Sequence, residues 1–315
     1  MARFSGKNFY SCINGYQMKF TLVLLAISLF INNVYAMDAE TSACNSAVEK
    51  GDSATALQLA NKVLHGNKND KEALICLGRA LSLKGDVEAA ITTYKAAAAQ
   101  ATTPLDKTII AILSGNTYKK AKQYNQAIAS YQLAAINAKT DKNQQFERIS
   151  QNLIGDTYFE NKRYQEALDT YLAASKLVEN DNDRGESFEN IANTYHRMNK
   201  NDDALEYQVK AYFMNERIGT LDQYAHSSIE LGRYYILNKN YNSAENVLNK
   251  IIKIAKDQGG AYYEAQGSYL LAKVKVAHGD IAGAKTLVEN AKTIAKNTHD
   301  QELAQEIDQE TQGLF

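Results

Sequence analysis

Leu77-Gly78-Arg79-Ala80-Leu81, followed by Ala90, Tyr94 and Ala97, is one copy of a pattern that recurs seven times along a chain of 315 residues. Taking the small residue as an anchor, the copies sit at Cys44, Gly78, Gly115, Gly155, Ala192, Gly232 and Ala272. Twelve residues after each anchor stands an alanine: Ala56, Ala90, Ala127, Ala167, Ala204, Ala244 and Ala284. Sixteen after it comes a gap-filling side chain: Ala60, Tyr94, Tyr131, Tyr171, Gln208, Leu248 and Val288. Nineteen after it comes a further helix-face residue: Val63, Ala97, Ala134, Ala174, Ala211, Ile251 and Ala291. Self-similarity at a period of 34 to 40 residues marks stacked supersecondary units. One such unit cannot bury both of its faces, so the units must stack into a solenoid.

The spacing predicts two antiparallel helices per unit, an all-α fold. A glycine or alanine anchor lets the paired helices approach, and the later alanine faces it. The tyrosine fills the space beside them, worth about 2 kcal/mol of apolar burial. Turn signals divide the helices at Lys50-Gly51-Asp52, Lys84-Gly85-Asp86, Asn199-Lys200-Asn201, Asn238-Lys239-Asn240 and His278-Gly279-Asp280. The lone proline, Pro104, falls between the second and third units, where it can begin a helix. Two residues break the pattern. Gln208 occupies an apolar position, and a rotation bringing in Tyr207 or Tyr212 would repair it. Lys275 stands where an aromatic is expected, with Val274 or Val276 as substitutes.

The composition is 45% apolar with no tryptophan, and the formal charge is -1. Residues 1–36 hold Arg3, Lys7 and Lys19 and no acid, which leaves the remainder mildly acidic. That excludes general nucleic-acid binding, which needs a basic stripe. Residues 20–31 form an apolar run of signal-peptide length, short for a membrane span, with Val34-Tyr35-Ala36 behind it. This predicts a secretory signal over residues 1–36, cleaved after Ala36, with Met18 offering a second start. An uncleaved anchor is the alternative. The expected location is the periplasm, with secretion or inner-membrane anchoring as variants. In an oxidising compartment Cys44 and Cys76 could pair as a disulfide, though two small buried thiols explain them equally well.

No catalytic constellation appears. The histidines His65, His196, His226, His278 and His299 show no metal-binding spacing, and neither a phosphate-cradling loop nor a nucleophile elbow is present. Asn180-Asp181-Asn182-Asp183-Arg184-Gly185 hints at a calcium loop. It fails because Arg184 takes a ligand position and Ile191 stands where a bidentate glutamate is needed. The reading is a solvated turn, no metal, no cofactor and no enzyme.

With these positions laid out, the chain resembles the tetratricopeptide-repeat family over residues 40–298. Its longer period is similar to that of kinesin light chains and bacterial peptide-pheromone receptors. The resemblance implies a right-handed α-solenoid of about seven helix-turn-helix repeats over residues 37–298, followed by a capping helix and tail over residues 299–315. It further implies a concave groove lined by the first helix of each repeat. Carried onto this sequence, the groove positions include Asn116, Lys119, Asn152, Asp156, Asn193, His196, Arg197, His226, Arg233 and Lys273. An asparagine amide both donates and accepts, so it can clamp a peptide backbone. The arginines and histidines of the fifth to seventh repeats would make a positive pocket for a carboxylate or an acidic segment. The Lys-Asn clamp of chaperone-binding relatives is missing, since Ile112 stands in the lysine position. No DNA-binding helix-turn-helix precedes the array. The expected function is a non-enzymatic adaptor or scaffold that binds a protein or peptide. The alternative is a structural subunit of a membrane-anchored envelope assembly or secretion complex. A homo-oligomer stays open.

Overall fold

A computed structural model of the chain describes residues 39–178 and 180–315, which divide into two compact units at that break. The expected signal lies outside the described residues. Within them every regular element is a helix, and no helix is long and apolar enough to cross a membrane.

The N-terminal unit holds four helical hairpins. They are α1 (Ala39–Glu49) with α2 (Ser53–Gly66), α3 (Lys71–Lys84) with α4 (Val87–Gln100), α5 (Pro104–Lys120) with α6 (Tyr124–Thr140), and α7 (Gln144–Glu160) with α8 (Tyr164–Ser175). The C-terminal unit holds three hairpins and a last helix. They are α9 (Asp181–Arg197) with α10 (Asn201–Ile218), α11 (Leu221–Leu237) with α12 (Tyr241–Gln258), α13 (Ala261–Ala277) with α14 (Ile281–Thr298), and α15 (Gln301–Thr311). The protein is thus an all-α solenoid of helix-turn-helix repeats.

Local chemistry sets the helix boundaries. Side chains of Asp52, Asp70, Asp86, Thr103, Asn143 and Asn180 accept from backbone N–H groups in the first turns of α2, α3, α4, α5, α7 and α9. Each such cap contributes about 1 kcal/mol. Pro104 opens α5 as its first residue. The segment 180–185, read as a solvated turn, instead opens α9, where Asn180 caps the helix by accepting from the Asp183 N–H at 2.9 Å. Within each hairpin the chain reverses through one left-handed residue, always seven positions after the anchor: Gly51, Gly85, Lys122, Lys162, Asn199, Lys239 and Gly279. The slot has φ between 57° and 89°, yet only three of its seven occupants are glycine.

The anchors obey a size rule. A Cβ added at Gly78, Gly115 or Gly155 would stand 2.4, 2.4 and 2.6 Å from the rings of Tyr94, Tyr131 and Tyr171. At Gly232 it would stand 2.5 Å from Leu248. The tyrosine therefore lies directly on the glycine. Where the anchor is larger, as at Ala272 or Cys44, the partner shrinks to Val288 or Ala60.

Gln208 corrects one expectation. No rotation replaces it: the side chain is 1% exposed and stays in register. Its amide donates to the Ser227 carbonyl at 3.1 Å and to the Ser227 hydroxyl at 3.3 Å, on the first helix of the next repeat. Lys275 also keeps its position, paired with Glu245 of α12 at 2.7 Å. In the first two hairpins the Cys44 and Cys76 sulfurs lie at bonding distance, with 6.3 Å between Cα atoms.

Candidate functional site

The first helix of each hairpin has two duties. It presents its anchor to the second helix, and it carries the residues expected to face a ligand. In the N-terminal unit the second duty is largely taken over by packing. The Tyr131 hydroxyl donates to Asn116 Oδ1 at 2.7 Å, and the Tyr171 hydroxyl donates to Asp156 Oδ1 at 2.5 Å. Asn116 and Asp156 are buried, as is Lys119, whose ammonium pairs with Glu160 at 3.1 Å. Arg79 donates in the same way to Asn45, the corresponding residue one repeat earlier, at 2.8 Å. Asn152 is half-buried on α7. Burial raises the Glu160 carboxyl pKa, the Lys119 charge opposes it and the Asp156 charge adds to it, for a net upward shift.

In the C-terminal unit the expected residues fall into two groups. Asn193 and Arg197 lie exposed one turn apart on α9. Beside them His196 is half-buried, its Nδ1 3.2 Å from Asn201 Oδ1 and its ring edge-on to Tyr234. His226 is half-buried on α11. Arg233 and Lys273 belong to a second cluster that centres on α15. Arg233 Nη1 donates to Glu310 Oε1 at 2.6 Å, Nη2 donates to the Tyr269 hydroxyl at 3.1 Å, and Nε lies 3.4 Å from Glu230. Lys273 pairs with the other Glu310 oxygen. Glu306, one turn earlier, accepts from the Tyr269 hydroxyl at 2.6 Å, from Gln266 at 2.8 Å and from the Tyr262 hydroxyl at 3.4 Å. The positive pocket expected here is therefore already matched by carboxylates of the same chain.

The electrostatics follow from that matching. Burial opposes the Arg233 charge, but Glu230, Tyr269 and Glu310 outweigh it and hold the guanidinium firmly charged. Burial would raise the Glu310 carboxyl, yet Arg233 and Lys273 pull it below the ordinary carboxylate range. Such charge-assisted bonds are stronger than neutral ones.

The role of Glu306 and Glu310 was missed from sequence, although a signal exists. Stepping 40 residues beyond Ala272 places an eighth anchor at Gln312 and Glu306 six before it, the position held by Gln266 and His226 in the preceding repeats. In agreement, α15 packs on α13 and α14 as α13 packs on α11 and α12. The last helix stands in for an eighth first helix.

Three tetratricopeptide-repeat models match the sequence, at residues 43–104, 146–217 and 225–258, together just over half of the chain. No match was found among curated proteins. Among solved structures, the apo form of RapI aligns with a TM-score of 0.67 at 14% identity, over 95% of this chain and 92% of its own. Aspartyl phosphate phosphatase F from Bacillus subtilis aligns with a TM-score of 0.61 at 12% identity, over 90% and 81%. The C-terminal part of a repeat-containing protein from Cytophaga hutchinsonii gives 0.60 at 14% identity, over 84% and 98%. At these identities the likeness is one of fold. With three models of one family in phase with its hairpins, the chain belongs to the tetratricopeptide-repeat family.

Proposed function

We propose that the chain is an exported, non-catalytic adaptor that holds a protein or peptide segment against the first helices of its repeats. The observation that carries this reading is the face of α9. Asn193 and Arg197 stand exposed there, while the counterparts of Asn193 in the N-terminal unit, Asn116 and Asp156, are buried and bonded to tyrosines. An exposed amide and guanidinium one turn apart suit a peptide backbone and a carboxylate. The repeat fold favours the same role, since stacked hairpins offer extended faces with no requirement for chemistry. Export is supported by the apolar run at residues 20–31 and by the bonding distance between Cys44 and Cys76, which suits an oxidising compartment.

The test is capture of partners from the native envelope by the full chain and by an Asn193→Ala/Arg197→Ala variant. Both substitutions are on the surface, so helicity and Tm should be unchanged while the specific partner is lost. Undiminished capture by the variant would sink the reading. Mass spectrometry of the mature protein should find Met37 at its N-terminus; retention of residues 18–36 would overturn export with release.

A further inference from the structure

The helix α15 is held differently from the other first helices. It has 11 residues against 17 in α13, and it buries two of them, Leu303 and Ile307, against ten. No second helix follows to close over its outer face among the described residues. Ala304 packs half-buried on the same core, and the other contacts are polar: Glu306 on Tyr269, Gln266 and Tyr262, Glu310 on Arg233 and Lys273, and Asp308 on Lys292 at 2.8 Å. His299, at φ 56°, forms a left-handed joint just before it.

Two carboxylates one turn apart, beside two apolar side chains also one turn apart, make a compact recognition pattern on a helix. The surface of α11 and α13 that receives it is complementary in charge and rich in tyrosine. Tyrosine and arginine are the residue types that dominate binding hot spots. The pocket thus displays its preferred ligand, supplied here by the chain itself.

We propose that α15 is an exchangeable occupant, and that the Arg233–Tyr269–Lys273 pocket is a docking site for an acidic amphipathic helix of a protein partner. This rests on the adaptor reading and deepens it by naming the chemistry of the partner: two carboxylates spaced by four residues next to two aliphatic side chains. At rest α15 occupies the site with the advantage of being tethered, so an incoming helix has to compete with a high effective concentration. The tether sets a threshold that weak or mismatched acidic segments do not cross.

The experiment uses the full chain. Hydrogen exchange followed by mass spectrometry on the wild-type protein should show α15 opening separately, at least about tenfold faster than α13. A fluorescent peptide with the sequence of residues 299–313 is then titrated into the wild type and into Glu306→Gln/Glu310→Gln. The variant, whose own α15 is loosened, should bind the peptide at least about tenfold more tightly than the wild type does. A peptide carrying the same two glutamines should bind neither. Exchange of α15 only together with α11 and α13 would make it a permanent cap and overturn the proposal. Equal binding of the native and glutamine peptides would overturn the charge recognition. The exchange measurement needs no partner and does not touch α9. It can therefore fail while the Asn193/Arg197 test succeeds, or the reverse.

Discussion

The Tyr171 ring lies on the Cα of Gly155, and its hydroxyl donates to the neighbouring Asp156 at 2.5 Å. One side chain thereby fills the gap that the missing Cβ creates and satisfies a buried carboxylate. The same construction joins Tyr131 to Gly115 and Asn116. Packing and polarity at these positions are coupled, and a change in one should be felt in the other.

For Gly155→Ala we expect a loss of about 1–3 kcal/mol, since the added methyl would stand 2.6 Å from the ring. Tyr171→Val alone should cost about as much as other large-to-small changes, about 3 kcal/mol, and should remove the bond that the hydroxyl donates to Asp156. The double variant recreates the Ala272/Val288 pairing. Urea denaturation should show it to be less destabilised than the sum of the singles. Strict additivity would mean that anchor and filler do not share one space.

Gln208 and Ser227 offer a second cycle. Gln208→Leu removes the two donated bonds and leaves the Ser227 hydroxyl buried beside an apolar group, for a cost of about 1–3 kcal/mol. Adding Ser227→Ala removes the stranded hydroxyl and should recover much of that loss. A double variant as unstable as the single would show that Gln208 acts through shape rather than through its amide.

Acid should act on the two units in opposite senses. Glu310 is held below its unfolded pKa, so its stabilisation is complete above about pH 4.3, the ordinary glutamate value, and disappears as pH falls through the lower folded value. Glu160 is held above its unfolded pKa. Its ionised form therefore costs stability at neutral pH, and the cost is relieved as pH falls through the raised folded value. Protection factors from hydrogen exchange should rise modestly at the end of α7 on mild acidification, and those of α15 should collapse at lower pH. Glu310→Gln should remove the acid dependence of α15. An unchanged profile in that variant would contradict the ion-pair account.

The Cys44–Cys76 pair closes a segment with a sequence separation of 32. Thiol alkylation of the protein from its native source, after denaturation without reductant, should label neither residue. Reduction should destabilise the first two hairpins by about 4 kcal/mol, the chain-entropy value for a loop of this size. Complete labelling before reduction would mean that the chain matures with free thiols.

The hairpins were legible in the sequence because their determinants are local. Anchor, alanine and filler lie within twenty residues of each other, so their period is visible in one pass. Gln208 was misjudged because its partner Ser227 lies in the next repeat, and a polar core residue cannot be explained by its own hairpin. The candidate site was less legible for the same reason. Composition placed Arg233 and Lys273 in a basic cluster, but Glu310 sits 77 and 37 residues away from them. Asn116 and Asp156 match the ligand-facing pattern of the family, yet the filler hydroxyls one turn of packing away engage them first.

The size match between anchor and filler is contained within a single hairpin, sixteen residues apart. A tandem duplication or deletion of one hairpin carries the matched pair along, so the array can lengthen or shorten in descent without a compensating change elsewhere. Ties between successive hairpins restrict that freedom at their own joints: Cys44–Cys76, Lys119–Glu160, Lys275–Glu245 and, in the core, the glutamine bond to Ser227. Hairpins joined in this way, the fifth and sixth among them, have to be inherited, grafted or lost as one piece.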